Sequence, residues 1–396
     1  INKGTILINK NRIETVGKSS DITIPSQTKT IDMEGKTIVP GYVDTHAHYF
    51  GIKKGLLDRE NWTFIANLAW GVTTGLDVQT STNDPFAYQD LIDIGEMIGP
   101  RAFSTGPGIF SQNNFQSKDE AAALMKRYRD HYGTRNLKSY IAGTRKQRHY
   151  IVQAAHELQM MPTTEGALDM KLDLTHALDG FHGNEHNLPI TPLYKDVVEL
   201  VAQSGMTYTP TLLVTYGGPW GENYYYTNVE VHDDPKVKRF IPDNVIQSKT
   251  RRVPWFRKDE YAFSRIAAEA TKIIRAGGLV GVGSHGQLNG PGYHWELWSL
   301  HSGGMTNMEA LRAATINGAK IIGIGQDVGS IEKGKLADLV ILNSDPIKDI
   351  NNSDDIHSVM KNGVLYDGMT MNEIYPKKQA RKASWWETDL PNAKKR

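Results

Sequence analysis

Cysteine is absent from this 396-residue chain, and so is any surplus of charge of one sign. Without cysteine the chain has no disulfide, no thiolate metal site and no cysteine nucleophile. Lysine and arginine number 45 against 44 aspartates and glutamates, so neither nucleic acid nor an anionic membrane is an expected partner. No run of about 18 apolar residues occurs, so no membrane span is predicted.

The composition is that of a globular protein, with 39% hydrophobic and 22% charged residues. The chain is longer than a single core usually allows, which favours a large α/β barrel with a smaller module, or two or three ordinary domains. It begins at Ile1 without a leader. We therefore leave the compartment open: exported or periplasmic if a leader precedes this segment, and cytoplasmic otherwise.

Short strand patterns occur at both ends of the chain. Thr5–Ile8 and Arg12–Gly17 predict a hairpin, and strand and turn signals return after residue 318. Because four short strands cannot bury a core alone, the two ends are expected to combine. The sequence predicts a discontinuous β-sandwich built from residues 1–40 and 318–372, with residues 373–396 as a tail that is either a peripheral helix or frayed.

Between these ends, apolar runs alternate with helical stretches, as in successive βα units. Eight strand candidates occur: Val39–Thr45, Val72–Val78, Arg101–Thr105, Leu137–Ile141, Met160–Glu165, Leu178–Asn184, Met206–Val214 and Leu279–Ser284. This content predicts an α/β fold with a (β/α)₈ TIM barrel over residues 41–317. Residues 217–254 form a long aromatic insertion, which either carries short helices that cover the barrel mouth or is a solvated excursion.

His46 and His48 flank Ala47 at the end of the first barrel strand. Side chains two residues apart in an extended segment point the same way, so both imidazoles converge at the rim where barrel enzymes place their chemistry. Two neutral ring nitrogens are good ligands for zinc or a similar cation. The alternative is a pair of ordinary polar histidines, and the preceding Pro40-Gly41 favours the metal site.

Two motifs carry a family resemblance. The run Gly35-Lys36-Thr37-Ile38-Val39-Pro40-Gly41-Tyr42-Val43-Asp44-Thr45-His46-Ala47-His48 resembles the signature of the metal-dependent amidohydrolase superfamily, and Gly329–Leu342 resembles its closing strands. The likeness is closest to the imidazolonepropionase- and prolidase-like branch, in particular to domains fused behind a TolB-like β-propeller. It implies a barrel with a flanking sandwich, and one or two divalent ions, zinc above all. It also implies an N-terminal propeller in the full-length chain.

The resemblance extends to further metal ligands. Lys138 matches the lysine that this branch carboxylates to bridge two metals, and Glu165 stands where the family has histidine. His186 matches the histidine that follows the sixth strand, although His182 competes for this role. The alternatives are an ordinary exposed lysine for Lys138 and a rim ion pair for Glu165.

His285 stands where the family has an aspartate that binds metal and takes a proton from water. A histidine that ligates metal through one nitrogen cannot easily shuttle protons as well. His285 is therefore either a ligand or a base, and Glu165 is the alternative base. Tyr140, Arg145 and His294 are candidate substrate-binding residues, although surface charge or core packing explains each of them equally simply.

These patterns together predict an amidohydrolase, an enzyme that cleaves amide-type C–N bonds with metal-activated water. Dipeptides, N-acyl amino acids and cyclic amides are the expected small-molecule substrates. A catalytically weakened binding module and a lactonase or ester hydrolase are the alternatives. The oligomeric state stays open, with a homo-oligomer among the options.

Overall fold

The computed structural model describes residues 1–110 and 112–388, which form fourteen strands and fourteen α-helices. The strands are β1 (Gly4–Asn9), β2 (Arg12–Lys18), β3 (Thr37–Pro40), β4 (Tyr42–Asp44), β5 (Val72–Asp77), β6 (Arg101–Ser104), β7 (Asn136–Tyr140), β8 (Met161–Glu165), β9 (Gly183–Glu185), β10 (Thr207–Thr209), β11 (Leu339–Leu342), β12 (Ile356–Lys361), β13 (Val364–Asp367) and β14 (Glu373–Tyr375).

The helices alternate with the strands through the middle of the chain. They are α1 (Trp62–Ala69), α2 (Asp84–Asp93), α3 (Lys118–His131), α4 (Arg145–Glu157), α5 (Met170–Asp179), α6 (Lys195–Ser204), α7 (Gly221–Asn228), α8 (Pro235–Phe240), α9 (Asp243–Thr250), α10 (Phe263–Arg275), α11 (Pro291–His301), α12 (Asn307–Arg312), α13 (Gly318–Ile321) and α14 (Trp385–Thr388). Within the described residues, no helix is both long enough and apolar enough to span a bilayer.

The middle of the chain builds two parallel sheets, β4-β5-β6 and β10-β9-β8-β7. Seven of the eight predicted strand segments contain strand residues, although Leu178–Asn184 begins in α5 and overlaps β9 only at Gly183 and Asn184. The eighth segment contributes parallel bridges from Val280 to Tyr208 and from Val282 to Asp44. Gly281 and Gly283 allow this close approach, because a Cβ at Gly283 would lie 2.6 Å from the Cβ of His46. The predicted α/β class with parallel strands is confirmed.

The two ends of the chain meet in antiparallel structure. A five-stranded sheet has the order β14-β13-β12-β11-β3, so β3 from the start of the chain pairs with β11 from its end. The β1–β2 hairpin packs its buried Ile13 against Leu339 and Met360 of this sheet. The tail begins with strand β14, whose Glu373 and Tyr375 pair with β13, and it also contains the short helix α14. Residues 389–396 of the predicted tail lie outside the described residues.

The long insertion carries α7, α8 and α9, as one of the two interpretations predicted. Tyr225 of α7 stacks on Trp295 of α11 at a ring-centroid distance of 5.1 Å. Val237 and Phe240 of α8 are buried in the largest hydrophobic cluster. The insertion is therefore packed against the parallel-strand unit rather than extended into solvent, which fixes the position of the residues that it presents.

Candidate metal centre

The candidate site is a cavity of about 300 Å³ at the carboxyl ends of the parallel strands. β7 and β8 contribute Lys138, Tyr140 and Glu165. Four histidines, each just beyond the end of a strand segment, line the same cavity: His46, His48, His186 and His285. Because side chains beyond the carboxyl ends of parallel strands meet at one edge, segments more than 200 residues apart in sequence share this site.

His46 is almost completely buried, and both of its ring nitrogens have partners. Nδ1 lies 2.7 Å from Oε2 of Glu185, whose other oxygen accepts a hydrogen bond from the Thr163 hydroxyl at 2.5 Å. In its ionised form Glu185 only accepts, so Nδ1 of His46 then carries the proton and Nε2 keeps its lone pair. That Nε2 lies 3.1 Å from Nε2 of His48. Two imidazole nitrogens this close are suited to sharing a cation.

The ring of His186 is oriented in the same way as that of His46, but its Nδ1 bonds to a hydroxyl group instead of a carboxylate. Its Nδ1 lies 2.7 Å from Oγ1 of Thr211, and Thr211 donates its own hydroxyl proton to the carbonyl oxygen of Pro210 at 2.8 Å. The hydroxyl oxygen therefore accepts from Nδ1 of His186, which leaves the Nε2 lone pair free. His186 and Thr211 both have positive φ, 68° and 49°. Such left-handed positions in non-glycine residues cluster at functional sites.

Lys138 and Glu165 form a buried ion pair on adjacent strands. Nζ of Lys138 lies 2.6 Å from Oε2 of Glu165, and both side chains are at most 5% exposed. The same carboxylate oxygen lies 3.4 Å from Nε2 of His186. The Lys138 side chain therefore does not reach solvent, and it ties Glu165 beside the histidines.

His285 completes the cluster from the segment that bridges β4 and β10. Its backbone N–H donates to the carbonyl oxygen of His46 at 2.7 Å, and its φ is 56°. Its ring centroid lies 5.1 Å from that of His46 and 4.6 Å from that of His48. Ser284 beside it donates both its backbone N–H and its hydroxyl to Asp44. These bonds fix the segment against β4.

Burial sets the charge of this site. Desolvation, reinforced by the neighbouring cationic groups, lowers the pKa of all four histidines well below the ordinary value, so they are neutral at pH 7. Burial also raises the pKa of Glu185 to about 7 and that of Asp77 to about 6. Oδ1 of Asp77 lacks a hydrogen-bond partner and lies 4.0 Å from Nδ1 of His48.

This donor set fits a divalent cation. A nitrogen from each of His46, His186 and His285 lies within 4.8 Å of the others, and Nε2 of His48 lies 3.1 Å from Nε2 of His46. The four rings therefore offer one nitrogen more than the three protein ligands of a catalytic zinc site. Neutral imidazoles are the required form for metal binding, and at His46 and His186 the second nitrogen is already bonded to an acceptor, as in known metal sites. His182, the rival to His186, instead contacts the carbonyl oxygen of Ile321 through its Nε2 and does not line the cavity.

Of the three predicted substrate-binding residues, the structure places only one at the cavity. Tyr140 lines the cavity. Arg145 does not: its guanidinium is 57% exposed and pairs with Asp179 at 2.8 Å. His294 is fully buried in α11, where its ring contacts the carbonyl oxygen of Trp70 and Oγ of Ser353, both at 2.9 Å. Neither Arg145 nor His294 is in contact with the candidate site, because other partners hold both side chains.

Sequence reasoning did not assign a role to several residues that support the site. Glu185 and Thr211 fix the ring orientations of His46 and His186, and Asp77 faces His48. Tyr216, directly before the insertion, and Trp220, near its start, line the cavity together with Tyr140. A polar residue that ends a buried strand was the available signal for Asp77 and Glu185. Thr211 gave no comparable signal.

Comparisons with known proteins agree with this geometry. Residues 268–366 match the model of the family described as "Amidohydrolase family". The chain is 23% identical over 384 residues to 5'-deoxyadenosine deaminase of Methanobrevibacter smithii, covering 86% of this chain and 80% of the relative. It is 24% identical over 401 residues to imidazolonepropionase of a Geobacillus strain, covering 86% and 84%.

Solved structures share the fold. A Xaa-Pro dipeptidase with bound methionine matches with a TM-score of 0.66 and 24% identity, over 92% of this chain and 95% of its own. Molinate hydrolase matches with a TM-score of 0.69 and 18% identity, over 93% and 91%. In class, the chain is similar to proteins of the amidohydrolase family, whose model matches residues 268–366. More specifically, this match and the two curated relatives agree with the family predicted from the two motifs.

Proposed function

We propose that this protein is a metal-dependent hydrolase of small amides. The observation that carries the proposal is the convergence of the Nε2 atoms of His46 and His48, 3.1 Å apart, with the Nε2 atom of His186 placed beside Glu165. Hydrogen bonds from their Nδ1–H groups to Glu185 and Thr211 orient the rings of His46 and His186 with the Nε2 lone pairs free. Such pre-orientation of neutral imidazoles is typical of a metal centre rather than of a structural histidine cluster.

His46, His48 and His186 would hold a single ion, and zinc is the ion that best suits this nitrogen-rich set. When bound, a divalent ion polarises the scissile carbonyl and lowers the pKa of water. In the one-ion form, the ammonium group of Lys138 forms an ion pair with the carboxylate of Glu165. A two-ion form would instead engage Glu165 and a carboxylated Lys138 as ligands. Incorporation of ¹³C from labelled bicarbonate, followed by ¹³C NMR, separates the two forms.

Among the described residues, Glu165 is the one carboxylate that lines the cavity. We therefore propose that Glu165 is the general base, which accepts a proton from the attacking water. Nζ of Lys138 lies 2.6 Å from Oε2 of Glu165, so this ion pair keeps the carboxylate beside the histidines and away from solvent. Cleavage of the C–N bond then releases an amine and a carboxylic acid. The amine takes up the proton held by Glu165 as it leaves, which returns Glu165 to its carboxylate form.

The cavity wall favours a small organic amide. Tyr140, Tyr216 and Trp220 contribute aromatic surface, and the volume of about 300 Å³ matches a small ligand. Dipeptides including Xaa-Pro, N-acyl amino acids and cyclic amides remain the proposed substrates. Two relatives support this range, since one structural neighbour is a Xaa-Pro dipeptidase and one curated relative is an imidazolonepropionase.

For the architecture, we propose that the two parallel sheets and the Leu279–Ser284 segment form one closed (β/α)₈ barrel over residues 41–317. Bridges from Val280 to Tyr208, from Val282 to Asp44 and from Ile109 to Ser139 support closure on both sides of the two sheets. The antiparallel strands from the two chain ends would form the β-sandwich of residues 1–40 and 318–372.

The test combines metal content with turnover. Protein reconstituted with zinc or manganese is screened against dipeptides, N-acyl amino acids and cyclic amides, with His46→Ala and His131→Ala as variant and control. His131 is exposed at the end of α3, far from the cluster in sequence. We expect His46→Ala to lose both stoichiometric metal and activity. A wild-type protein that stays metal-free under saturating zinc would overturn the proposal.

A further inference from the structure

A lysine from the insertion reaches the neighbourhood of His285 through a glutamine. Nζ of Lys249, in α9, donates to Oε1 of Gln287 at 2.6 Å and lies 3.3 Å from Oε2 of Glu222 in α7. Nε2 of Gln287 lies 3.3 Å from Nδ1 of His285. Gln287 is 5% exposed. The three side chains therefore form a chain of polar contacts, Lys249–Gln287–His285, that ends at the candidate metal centre.

Hydrogen-bond chemistry fixes the direction of this chain. The lysine ammonium group only donates, so the amide oxygen of Gln287 must face Lys249. The amide NH₂ of Gln287 then faces His285, and an amide nitrogen only donates. Nδ1 of His285 must therefore accept. In a neutral imidazole the other nitrogen then carries the proton, which places an N–H at Nε2 of His285.

This tautomer is the opposite of that at two neighbouring histidines. His46 and His186 donate hydrogen bonds from Nδ1–H to Glu185 and Thr211, which leaves Nε2 of each ring as an acceptor. His285 accepts at Nδ1 from Gln287 and so has no free lone pair at Nε2. The same cluster thus contains two imidazoles set up to bind a cation and one set up to donate a hydrogen bond.

We propose that Lys249 and Gln287 hold His285 as its Nε2–H tautomer, and that His285 donates a hydrogen bond to the carbonyl oxygen of the substrate rather than binding the metal. This rests on the proposed amide hydrolysis. A fixed N–H stabilises the negative charge that develops on that oxygen when water adds to the carbonyl carbon. The bond forms and breaks without net proton transfer from His285, whose Nε2 proton stays on the ring.

The insertion thereby gains a role in the site. Lys249 lies on α9 and does not line the cavity, so it acts on the reaction only through Gln287 and is a positioning residue. Glu222 of α7 faces the same ammonium group and helps to keep it in place. The insertion therefore sets the tautomer of a histidine whose backbone belongs to the segment bridging β4 and β10.

The first experiment asks whether His285 is a ligand. Zinc affinity of the metal-depleted full chain is measured by calorimetry for wild type, His285→Ala and His46→Ala. We expect His285→Ala to bind zinc within about 3-fold of wild type, and His46→Ala to bind it at least about 10-fold more weakly. An equal loss of affinity in both variants overturns the proposal. This readout needs no substrate, so a failed search for turnover would count against the proposed function alone.

The second experiment reverses the direction of the hydrogen bond between residue 287 and His285. In Gln287→Glu the new carboxylate pairs with Lys249 and accepts from Nδ1 of His285, which moves the lone pair to Nε2. Long-range ¹⁵N–¹H NMR of histidine-labelled zinc protein, assigned with His285→Ala, reports which ring nitrogen is protonated. We expect Nε2–H in wild type and Nδ1–H in Gln287→Glu, together with tighter zinc binding and a lower kcat in the variant. An Nδ1–H signal in wild type overturns the proposal.

Lys249→Met tests the positioning role. Without the ammonium group the amide of Gln287 is free to flip, so we expect a mixture of His285 tautomers and a kcat about 10-fold below wild type with KM little changed. Lys238→Met, also in the insertion but 58% exposed, is the matched control and is expected to behave as wild type. A single Nε2–H tautomer in Lys249→Met would remove Lys249 from the mechanism.

Discussion

Glu185 holds His46 across the site: Oε2 of the carboxyl group lies 2.7 Å from Nδ1 of the ring, although 139 positions separate the two residues. Both side chains are at most 4% exposed, so water does not compete for this bond. The same contact that orients the ring also makes its Nε2 a stronger donor toward a cation. The binding of metal by His46 should therefore depend on Glu185.

Replacing Glu185 by alanine should weaken zinc binding by about 10- to 100-fold, the range for removal of the acceptor behind a metal-ligating histidine. Calorimetric titration of the metal-depleted protein measures this change. Glu96→Ala, which removes a carboxylate that is 55% exposed, is the control and should bind zinc as wild type does. Unchanged affinity in Glu185→Ala would show that His46 does not rely on this partner.

The buried Lys138–Glu165 pair makes a prediction about stability. Lys138→Met leaves Glu165 as an uncompensated buried charge, and the free energy of unfolding should fall by about 3–5 kcal/mol. Urea denaturation of the metal-free protein gives this value. Lys118→Met breaks a pair of similar length, 2.7 Å, between exposed side chains and should leave the free energy of unfolding close to that of wild type. Equal losses in both variants would contradict the role of burial.

Arg145 and Tyr140 should differ in their effect on substrate binding. Arg145→Met removes a surface ion pair with Asp179 and should leave KM within about 2-fold, because the guanidinium lies outside the cavity. Tyr140→Ala removes aromatic surface from the cavity wall and should raise KM about 10-fold, which corresponds to about 1.4 kcal/mol. Steady-state kinetics with any hydrolysed amide decides this, and a larger effect at Arg145 would reverse the assignment.

His294 is predicted to act on stability alone. His294→Leu removes the partner of one buried acceptor, the carbonyl oxygen of Trp70, and of one buried donor, the hydroxyl group of Ser353. Each group left without a partner costs about 1–3 kcal/mol, so the unfolding midpoint in urea should fall clearly. Zinc content per folded chain should stay that of wild type. Loss of zinc from folded His294→Leu would show a link to the metal centre that the contacts do not reveal.

The sequence by itself determined the parallel-strand pattern, the pairing of the two chain ends and the cluster of metal-type residues. These follow from local signals: apolar runs of strand length, turn residues and a His-x-His pair directly after a strand. The match of two separated motifs to one family then placed Lys138, Glu165, His186 and His285 in the same cavity. Position along a strand is enough for this, since carboxyl ends of parallel strands share one edge.

Only the tertiary structure decided what each of these side chains does. Arg145 and His294 occupy plausible sequence positions, yet Asp179 and Trp70 hold them elsewhere. The protonated nitrogen of each histidine depends on a partner from a distant segment, Glu185 for His46 and Gln287, itself oriented by Lys249, for His285. Residue type fixes which atoms can donate or accept, but hydrogen bonds depend on distances of about 3 Å, which only the folded chain sets.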